Sequence, residues 1–401
     1  MCGKEQATPV SKSFAPTKSS LDAITRINDD RIINLDQGDP MMFETYWNQM
    51  GDKCTVEISG YEWMSYFADA GNLCWFLLPG LGDAIKRLHR TVGNAVTEDR
   101  YIVVGTGSSQ LFQAALYALC PPDALRPVSV VSAAPYYSCY PQLTEFLRSS
   151  LYKWAGDAYA FEEEGPYIEV VCNPNNPDGI VREPVVNRDD GKVIHDLAYY
   201  WPQYTPITFP ANHDIMLFTF SKCTGHAGSR IGWALVKDKA VAAKMVEYMT
   251  IATIGVSKEA QLRAAKIMQV ITDSYLDLAP KDVELFFEHA KRAMADRWKR
   301  VREIVAKSEM FSLPKYPLEY CHFSSNYTMT NPGFAWFKCK DDIGDCSNLF
   351  RRHKILGRSG KFFGVDAKYC RLSMIADEES FNLFLRRLSA IVETNDVPSG
   401  L

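Results

Sequence analysis

The feature that most constrains this chain is an alternation, in its middle part, of short apolar runs with segments of helical periodicity. The runs are rich in β-branched residues, as expected for strands that are buried on both faces, and intervening helices allow such strands to pair in parallel. The sequence therefore predicts an α/β fold with a mostly parallel sheet flanked by helices. The predicted strands are Tyr101–Val104, Val128–Val131, Tyr167–Val171, Lys192–Ile194, Ile215–Phe220 and Ile231–Val236.

A second pattern marks a change of architecture near residue 282. Apolar residues recur there at three- and four-residue spacing up to residue 306, which predicts a long amphipathic helix between two domains. Two strand candidates, Phe334–Cys339 and Tyr369–Ile375, and a closing helix over Phe381–Val392 then predict a smaller α+β unit. We expect a flexible tail (1–24), an N-terminal segment contributing to the small domain (25–59), a large domain (60–281), an interdomain helix (282–306) and a small domain (307–401).

Composition excludes several classes of protein. The 401 residues include 44 Lys and Arg against 48 Asp and Glu, a formal net charge of −4, which argues against nucleic acid or an anionic membrane as the main partner. The longest apolar stretches are far shorter than the ~18–20 residues of a membrane span. The first twenty residues lack the apolar stretch of a secretory signal. Eleven cysteines are scattered singly, without metal-site spacing. We therefore expect a cytoplasmic protein with free thiols and no metal.

Residues 105–110, GTGSSQ, form a glycine- and serine-rich turn between a predicted strand and a predicted helix. Glycines let the backbone approach a ligand closely, the free N–H groups of a first helical turn attract an anion, and the two hydroxyls add donors. The lysine of a Walker motif is missing. The turn therefore fits a phosphate group, and an ordinary strand-to-helix turn with a serine N-cap is the alternative.

Two further polar motifs follow predicted strands. NPNNPDG, at 173–179, contains two X-Pro bonds, one of them a candidate for the cis form, which bracket two asparagine side chains. DLAY, at 196–199, places a carboxylate three residues before a phenol, a pair suited to a cationic ring nitrogen and an adjacent ring oxygen. A plain turn and a helix N-cap are the structural alternatives.

The strongest chemical signal is SKCTGHAGSR, at 221–230, directly after the run IMLFTF. Lys222 would end a buried strand, where an ammonium group is costly. Desolvation lowers the pKa of a lysine and makes its amine a nucleophile toward carbonyl groups. Arg230 follows two glycines, and its guanidinium suits a phosphate. Ligands of open α/β sheets bind beyond the carboxyl ends of the strands, so we expect these motifs at one site.

The motifs occur in the order and approximate spacing of fold-type I pyridoxal-phosphate enzymes. Longer segments resemble the plant tryptophan aminotransferases that make indole-3-pyruvate for auxin synthesis and, less closely, alliin lyase. The resemblance runs from about Asn34 to the C-terminal helix. It implies a fold-type I PLP-dependent transferase, pyridoxal 5'-phosphate as cofactor, and a homodimer whose subunits share site residues. The segments that carry it are NLDQGDP (34–40), MSYF (64–67), YIVVGTGS (101–108), IHDLAYYWPQYTPIT (194–208) and FTFSKCTGHAGSRIGWALVKDK (218–239).

The resemblance also implies roles for individual residues around the cofactor. Lys222 binds the cofactor aldehyde covalently and, once released, transfers the substrate proton. Asp196 faces the ring nitrogen and keeps it protonated, which makes the ring an electron sink. Asn176 and Tyr199 hydrogen-bond the ring hydroxyl, and Tyr137 stacks on the ring face. The phosphate contacts are Ser108, Ser109, Ser221 and Arg230, with Tyr66 reaching the phosphate from the partner subunit.

On the substrate side, the resemblance implies that Arg371 binds the α-carboxylate bidentately, with Gly38 beside it. Arg371 lies inside an apolar strand, which is unusual for an arginine without a partner. One departure from the family pattern is Cys172-Asn173, where small hydroxyl residues are expected; it affects none of the named roles. A solvated arginine is the default alternative to this role of Arg371, because several other arginines lie nearby in the sequence. They are Arg351, Arg352, Arg358, Arg386 and Arg387.

The resemblance implies conversion of L-tryptophan and a 2-oxo acid, expected to be pyruvate, to indole-3-pyruvate and L-alanine. A broad aromatic aminotransferase and an alliinase-type C–S lyase are the alternatives, and greater local identity to the tryptophan enzymes favours the first reaction. A cofactor-binding regulator or a structural scaffold is disfavoured because Lys222 and Asp196 are both present. The residues that would form either walls of an indole pocket or plain core are Trp47, Tyr61, Trp63 and Phe67.

Overall fold

The structure is a computed structural model that describes residues 30–276 and 284–394. The expected flexible tail (1–24) and residues 25–29 of the expected N-terminal segment lie outside the described residues. So do residues 277–283, which include the start of the expected interdomain helix, and residues 395–401. The division into a large and a small domain stays a prediction.

Strands in the described residues include all six that were predicted in the middle of the chain and both that were predicted near its end. In chain order they are β1 (Ile33–Asn34), β2 (Tyr101–Gly105), β3 (Val128–Ser132), β4 (Tyr152–Asp157), β5 (Tyr167–Cys172), β6 (Gly191–Asp196), β7 (Ile215–Thr219), β8 (Gly232–Val236), β9 (Phe311–Ser312), β10 (Leu318–Cys321), β11 (Asn326–Met329), β12 (Phe334–Cys339), β13 (Ile355–Leu356), β14 (Arg358–Ser359) and β15 (Tyr369–Ser373).

Helices in the same ranges include the two long ones that the sequence predicted. The expected interdomain helix is observed over Phe286–Val305 and buries its apolar stripe, and the closing helix extends over Glu378–Thr394. In chain order the α-helices are α1 (Glu44–Met50), α2 (Pro79–Val92), α3 (Ser108–Leu119), α4 (Cys139–Glu145), α5 (Phe220–Thr224), α6 (Lys239–Thr253), α7 (Lys258–Ser274), α8 (Phe286–Val305), α9 (Cys346–Arg352) and α10 (Glu378–Thr394). Short 3₁₀ segments are Met41–Phe43, Gly51–Cys54, Ala158–Ala160, Ala227–Ser229 and Gly360–Phe363.

A seven-stranded sheet in the order β2-β8-β7-β6-β5-β3-β4 confirms the α/β prediction. All of its pairings are parallel except those of β8, which runs antiparallel to β2 and β7. Strands β3, β5, β7 and β8 are buried along their whole length, which explains their continuous apolar sequences. The sequence did not reveal β4, because this edge strand is only partly buried and carries polar residues.

A second, antiparallel sheet has the order β14-β15-β12-β9. The N-terminal segment joins this part of the molecule, because β1 pairs in parallel with β13 and the carbonyl oxygen of Leu35 accepts a bond from the Ser373 amide at 2.8 Å. Arg358 on β14 lies directly opposite Arg371 on β15. Asp36 is thereby brought within hydrogen-bond distance of Arg358 and Arg371, from the far end of the chain. No helix in the described ranges combines the length and hydrophobicity needed to cross a bilayer.

Candidate active site

A cavity of about 180 Å³ lies at the carboxyl ends of the central parallel strands. Register brings the strand ends together, since Cys172 of β5 is opposite Asp196 of β6, which is opposite Leu217 of β7. All predicted cofactor contacts except Tyr66 line this cavity. Its walls are formed by Ser108, Ser109, Tyr137, Cys172, Asn176, Asp196, Ala198, Tyr199, Thr219, Ser221, Lys222, Ala227 and Arg230.

Lys222 enters the cavity from α5, which follows β7 without a loop. The hydroxyl of Thr219 caps this short helix by accepting a bond from the Ser221 amide. The Lys222 ammonium donates to the carbonyl oxygen of Gly38 and lies 5.9 Å from the centre of the Tyr199 ring. Burial lowers the pKa of Lys222 to about 8, and the nearby guanidinium of Arg371 acts in the same direction. The amine is therefore far easier to deprotonate near neutral pH than an exposed lysine.

Asp196 is a buried carboxylate at the end of β6. One of its oxygens accepts a bond from the Tyr140 hydroxyl at 2.8 Å, and the other accepts from the Ala198 amide at 3.1 Å. Burial raises the pKa of Asp196, and in the described residues no cation pairs with it. A cationic ring nitrogen would supply that missing charge. Sequence reasoning missed Tyr140, because nothing in its aromatic-rich stretch marks it as a hydrogen-bond donor rather than a core residue.

In the NPNNPDG motif, Asn175 stabilises the loop and Asn176 faces the cavity. Asn175 holds the loop by donating to the Pro135 carbonyl at 2.9 Å, and Asp178 pairs with Arg182 at 2.6 Å. Asn176 faces the cavity, where its side-chain oxygen accepts a bond from Arg371 at 2.9 Å. The Asn173–Pro174 bond is cis, as the sequence allowed. The motif is thus a turn and also presents a polar side chain to the cavity.

The corner of the cavity near Arg230 is rich in hydrogen-bond donors, and one guanidinium nitrogen of Arg230 donates to the Ala227 carbonyl at 3.0 Å. Gly107 precedes α3 with φ +79°, and a Cβ there would lie 2.6 Å from a guanidinium nitrogen of Arg230. No side chain caps the helix that begins with Ser108 and Ser109. The buried hydroxyl of Ser221 has no hydrogen-bond partner, and no carboxylate in the described residues pairs with Arg230. Free amide groups, hydroxyls and a cation are the donor set that binds a phosphate group.

Arg371 lies against Asn176, on the side of the cavity opposite Arg230, and it is 2% exposed. Its guanidinium donates to the Asp36 carbonyl at 2.6 Å and to Asn176 at 2.9 Å, and it lies 3.9 Å from the Phe334 ring centre. Its Nε atom has no partner, and no carboxylate in the described residues pairs with it. A buried cation without an anion is costly. A carboxylate ligand would remove that cost.

An ion pair that the sequence did not predict lies behind Arg371. Arg358 binds the Asp36 carboxylate through two nitrogens at 2.6 and 2.9 Å, and donates to the Ser138 hydroxyl at 2.9 Å. Arg358 is therefore partly buried in an ion pair. Two residues after Asp36, Gly38 leaves no room for a side chain, since a Cβ would lie 2.8 Å from Phe334.

Of the predicted cofactor contacts, Tyr66 alone does not line the cavity, and it is 65% exposed. Tyr61, Trp63 and Phe67 are exposed as well, so they are neither core residues nor cavity walls within one chain. Trp47 is partly buried and donates from its indole nitrogen to the Thr224 carbonyl at 2.8 Å, outside the cavity lining.

Comparison with known proteins identifies relatives of this chain. A family model described as Allinase matches residues 33–392. Tryptophan aminotransferase-related protein 2 of Arabidopsis thaliana is 52% identical over 389 residues, which cover 95% of this chain and 88% of that protein. Alliin lyase of Allium cepa var. aggregatum is 37% identical over 367 residues, covering 89% and 80%. The solved aspartate aminotransferase from Rhizobium meliloti superposes with a TM-score of 0.64 over 95% of this chain and 99% of that one. At 17% identity this last similarity concerns the fold, which is that of fold-type I aminotransferases.

Proposed function

This chain belongs to the allinase family, and on that basis we propose that it is a pyridoxal 5'-phosphate-dependent tryptophan aminotransferase. It would convert L-tryptophan and pyruvate to indole-3-pyruvate and L-alanine, as a step of auxin biosynthesis. The observation that carries the proposal is the convergence on one cavity of a lysine with a lowered pKa, a buried carboxylate without a cation and a buried guanidinium without an anion. The name of the Arabidopsis relative supports tryptophan as the substrate.

The described residues fit this cofactor. When bound, pyridoxal 5'-phosphate supplies an aldehyde that combines with amines and a ring that withdraws electrons from the substrate α-carbon. Asp196 would hold the ring nitrogen, and Tyr137 would pack on the ring. Asn176 and Tyr199 would bind the ring oxygen. The residues that would bind the phosphate are Ser108, Ser109, Ser221 and Arg230, together with Tyr66 of a second copy.

Within this arrangement, three residues perform the chemistry expected of the chain itself. Arg371 binds the substrate carboxylate with a guanidinium that Asn176 already orients, so little conformational entropy is lost on binding. The Nζ of Lys222 accepts the proton of the substrate α-carbon and later returns it, and a pKa of about 8 suits both directions of transfer. Asp196, oriented by Tyr140, keeps a fixed negative charge where positive charge must be stabilised.

A homodimer is part of the proposal. Tyr66 belongs to a segment with several exposed aromatic side chains, and such patches are typical of interfaces between proteins. A second copy of this chain would cover the segment, and Tyr66 of the first copy would contact the cofactor phosphate bound in the second. For the compartment we propose the cytoplasm, and the ten cysteines of the described residues, all free thiols, support it.

A spectroscopic experiment tests the cofactor. Purified protein mixed with pyridoxal phosphate should develop a visible absorbance band that borohydride abolishes, with the label on the peptide that contains Lys222. Lys222→Ala should lose the band, whereas Lys239→Ala, at an exposed lysine, should keep it. A band that survives Lys222→Ala would place the covalent link on another lysine.

A substrate assay tests the reaction class. L-tryptophan with pyruvate should yield a keto acid and alanine, in strict dependence on pyruvate. Equal rates with tyrosine and phenylalanine would indicate a broad aromatic aminotransferase. Release of pyruvate from an S-alkyl cysteine sulfoxide without any acceptor would indicate a lyase instead.

A further inference from the structure

Lys258 is a buried cation that lies outside the cavity. It is the first residue of α7 and is 8% exposed. Its ammonium donates to the carbonyl oxygen of Ser65 at 2.8 Å and to that of Phe67 at 2.6 Å. These two residues are the immediate neighbours of Tyr66 in the chain. The backbone carbonyl groups of the residue before Tyr66 and of the residue after it are therefore both held by one amine.

The position of this lysine is costly, which indicates a specific task. The first turn of a helix carries the positive end of the helix dipole, so a cation is unfavourable there. Burial without a carboxylate adds a desolvation cost, and no carboxylate in the described residues pairs with Lys258. The compensation comes from the two carbonyl groups beside Tyr66.

The segment that contains Tyr66, residues 58–67, is here called the arm. It contains no helix or strand, so no regular hydrogen-bond ladder holds its backbone. The large side chains of the arm are exposed in the single chain, by between 39% and 82%. They are Ile58, Tyr61, Trp63, Met64, Tyr66 and Phe67.

Helix α7 acts as the platform for the arm and for the chain that follows it. One turn after Lys258, the Gln261 amide donates to the Phe76 carbonyl at 3.0 Å and accepts from the Leu78 amide at 2.9 Å. Lys258 thus holds the arm, and Gln261 holds the connection between the arm and α2. Of these two residues, Lys258 is the one that contacts the backbone next to Tyr66.

We propose that Lys258 is a positioning residue for Tyr66 and that it acts across the subunit interface. In each subunit it fixes the arm that completes the phosphate end of the partner subunit's cofactor site. The inference rests on the proposed function, specifically on the homodimer. An exposed tyrosine on an irregular segment loses conformational entropy when it docks, and a backbone fixed in advance reduces that loss.

Mixed dimers test this proposal because they separate effects within a subunit from effects on its partner. One subunit carries Lys222→Ala, so the visible band reports only the site of the other subunit. Lys258→Met is then placed either in the subunit with Lys222 or in the subunit without it. When Lys258→Met is in the subunit without Lys222, it alters the arm that reaches the site with the visible band, so we expect the dissociation constant for pyridoxal phosphate to rise about tenfold, as for a lost charged hydrogen bond. When it is in the subunit with Lys222, we expect no change in that constant. Turnover at saturating cofactor should change little.

Matched variants make every outcome informative. Tyr66→Phe should behave as Lys258→Met does in both arrangements, and Lys258→Arg, which keeps two donors, should restore most of the affinity. Should the Met variant fail to fold, Lys258→Gln replaces it and should give a smaller effect in the same arrangement. The role of Lys258 would be overturned if Lys258→Met weakened cofactor binding equally in both arrangements. It would also be overturned if Lys258→Met left cofactor binding unchanged while Tyr66→Phe weakened it. A Tyr66→Phe variant without effect across the interface would instead refute the shared site of the proposed function.

Discussion

The proposed cofactor end of the cavity and the proposed substrate end beside it are assembled in different ways. At the cofactor end, residues between 108 and 230 follow strands of one sheet, so each stands in a short motif beside a buried run. At the substrate end, the carbonyl of Asp36 meets Arg371, 335 residues later in the chain. The comparison teaches that the cofactor end depends on local geometry, whereas the substrate end depends on the docking of the chain's two terminal parts.

The largest effect is expected at the cofactor end, from Asp196→Asn. This change keeps the shape but removes the buried negative charge, so we expect kcat to fall by about 10³-fold or more at saturating cofactor. Steady-state kinetics with tryptophan measures it, and the KM for tryptophan should change much less. Tyr140→Phe is the matched control, because it removes only one hydrogen bond to Asp196 and should cost about tenfold. Near-normal turnover of Asp196→Asn would contradict the charge-stabilising role.

The next effect belongs to the substrate end. Arg371→Ala should weaken binding of the substrate carboxylate by ~2–5 kcal/mol, since its buried partner groups lose their cation. Spectral titration with tryptophan measures the dissociation constant, and the visible cofactor band should persist. Arg352→Ala, at an exposed arginine of α9, is the control and should leave binding unchanged. A change in rate without a change in affinity would assign the carboxylate to another arginine.

Acid should destabilise the part of the molecule behind the cofactor end. His89 is fully buried, with Nε2 accepting from the Trp233 indole at 2.9 Å, and burial lowers its pKa to about 4. In the unfolded chain His89 takes up a proton near pH 6.5, whereas in the folded chain it does so only near pH 4. The free energy of unfolding is therefore at its full value above pH 6.5 and decreases as the pH falls toward 4. The loss amounts to about 3 kcal/mol.

Urea unfolding at pH values from 7.5 to 4.5 measures this dependence. His89→Gln should lower stability at neutral pH and flatten the pH dependence, because one titrating group is removed. If the free energy of unfolding of His89→Gln kept the same dependence on pH, the acid sensitivity would originate elsewhere. His195 is one such group, because burial lowers its pKa to about 3.

The smallest effect concerns the ion pair behind Arg371. Asp36→Asn leaves Arg358 without its carboxylate and loosens the segment whose carbonyl orients Arg371, so the KM for tryptophan should rise about tenfold. The dissociation constant for the cofactor should stay within about twofold. Arg358→Gln in the same background should add little, because the two residues form one pair. An equal loss of cofactor affinity would mean that the two ends of the cavity are not independent.

Much of the fold was predictable because its main sheet is built from continuous apolar runs. The exceptions have physical causes. Edge strand β4 is half polar, and the two-residue strands β1 and β13 pair only because distant parts of the chain meet. Within the site, the sequence pointed to Lys222 but not to Tyr140, since a tyrosine in an aromatic-rich stretch has no feature that distinguishes a hydrogen-bond donor from core.

The sequence by itself determined the α/β sheet and the set of polar residues that follow its strands, because burial patterns and turn chemistry act over a few residues. Only the tertiary structure decided which of the two arginines that face each other on β14 and β15 has a carboxylate partner. Arg358 is neutralised by Asp36, while Arg371, directly opposite it, is buried with no carboxylate partner in the described residues. Contacts over more than 300 residues leave no local pattern, so charge pairing of this kind exists only in the folded chain.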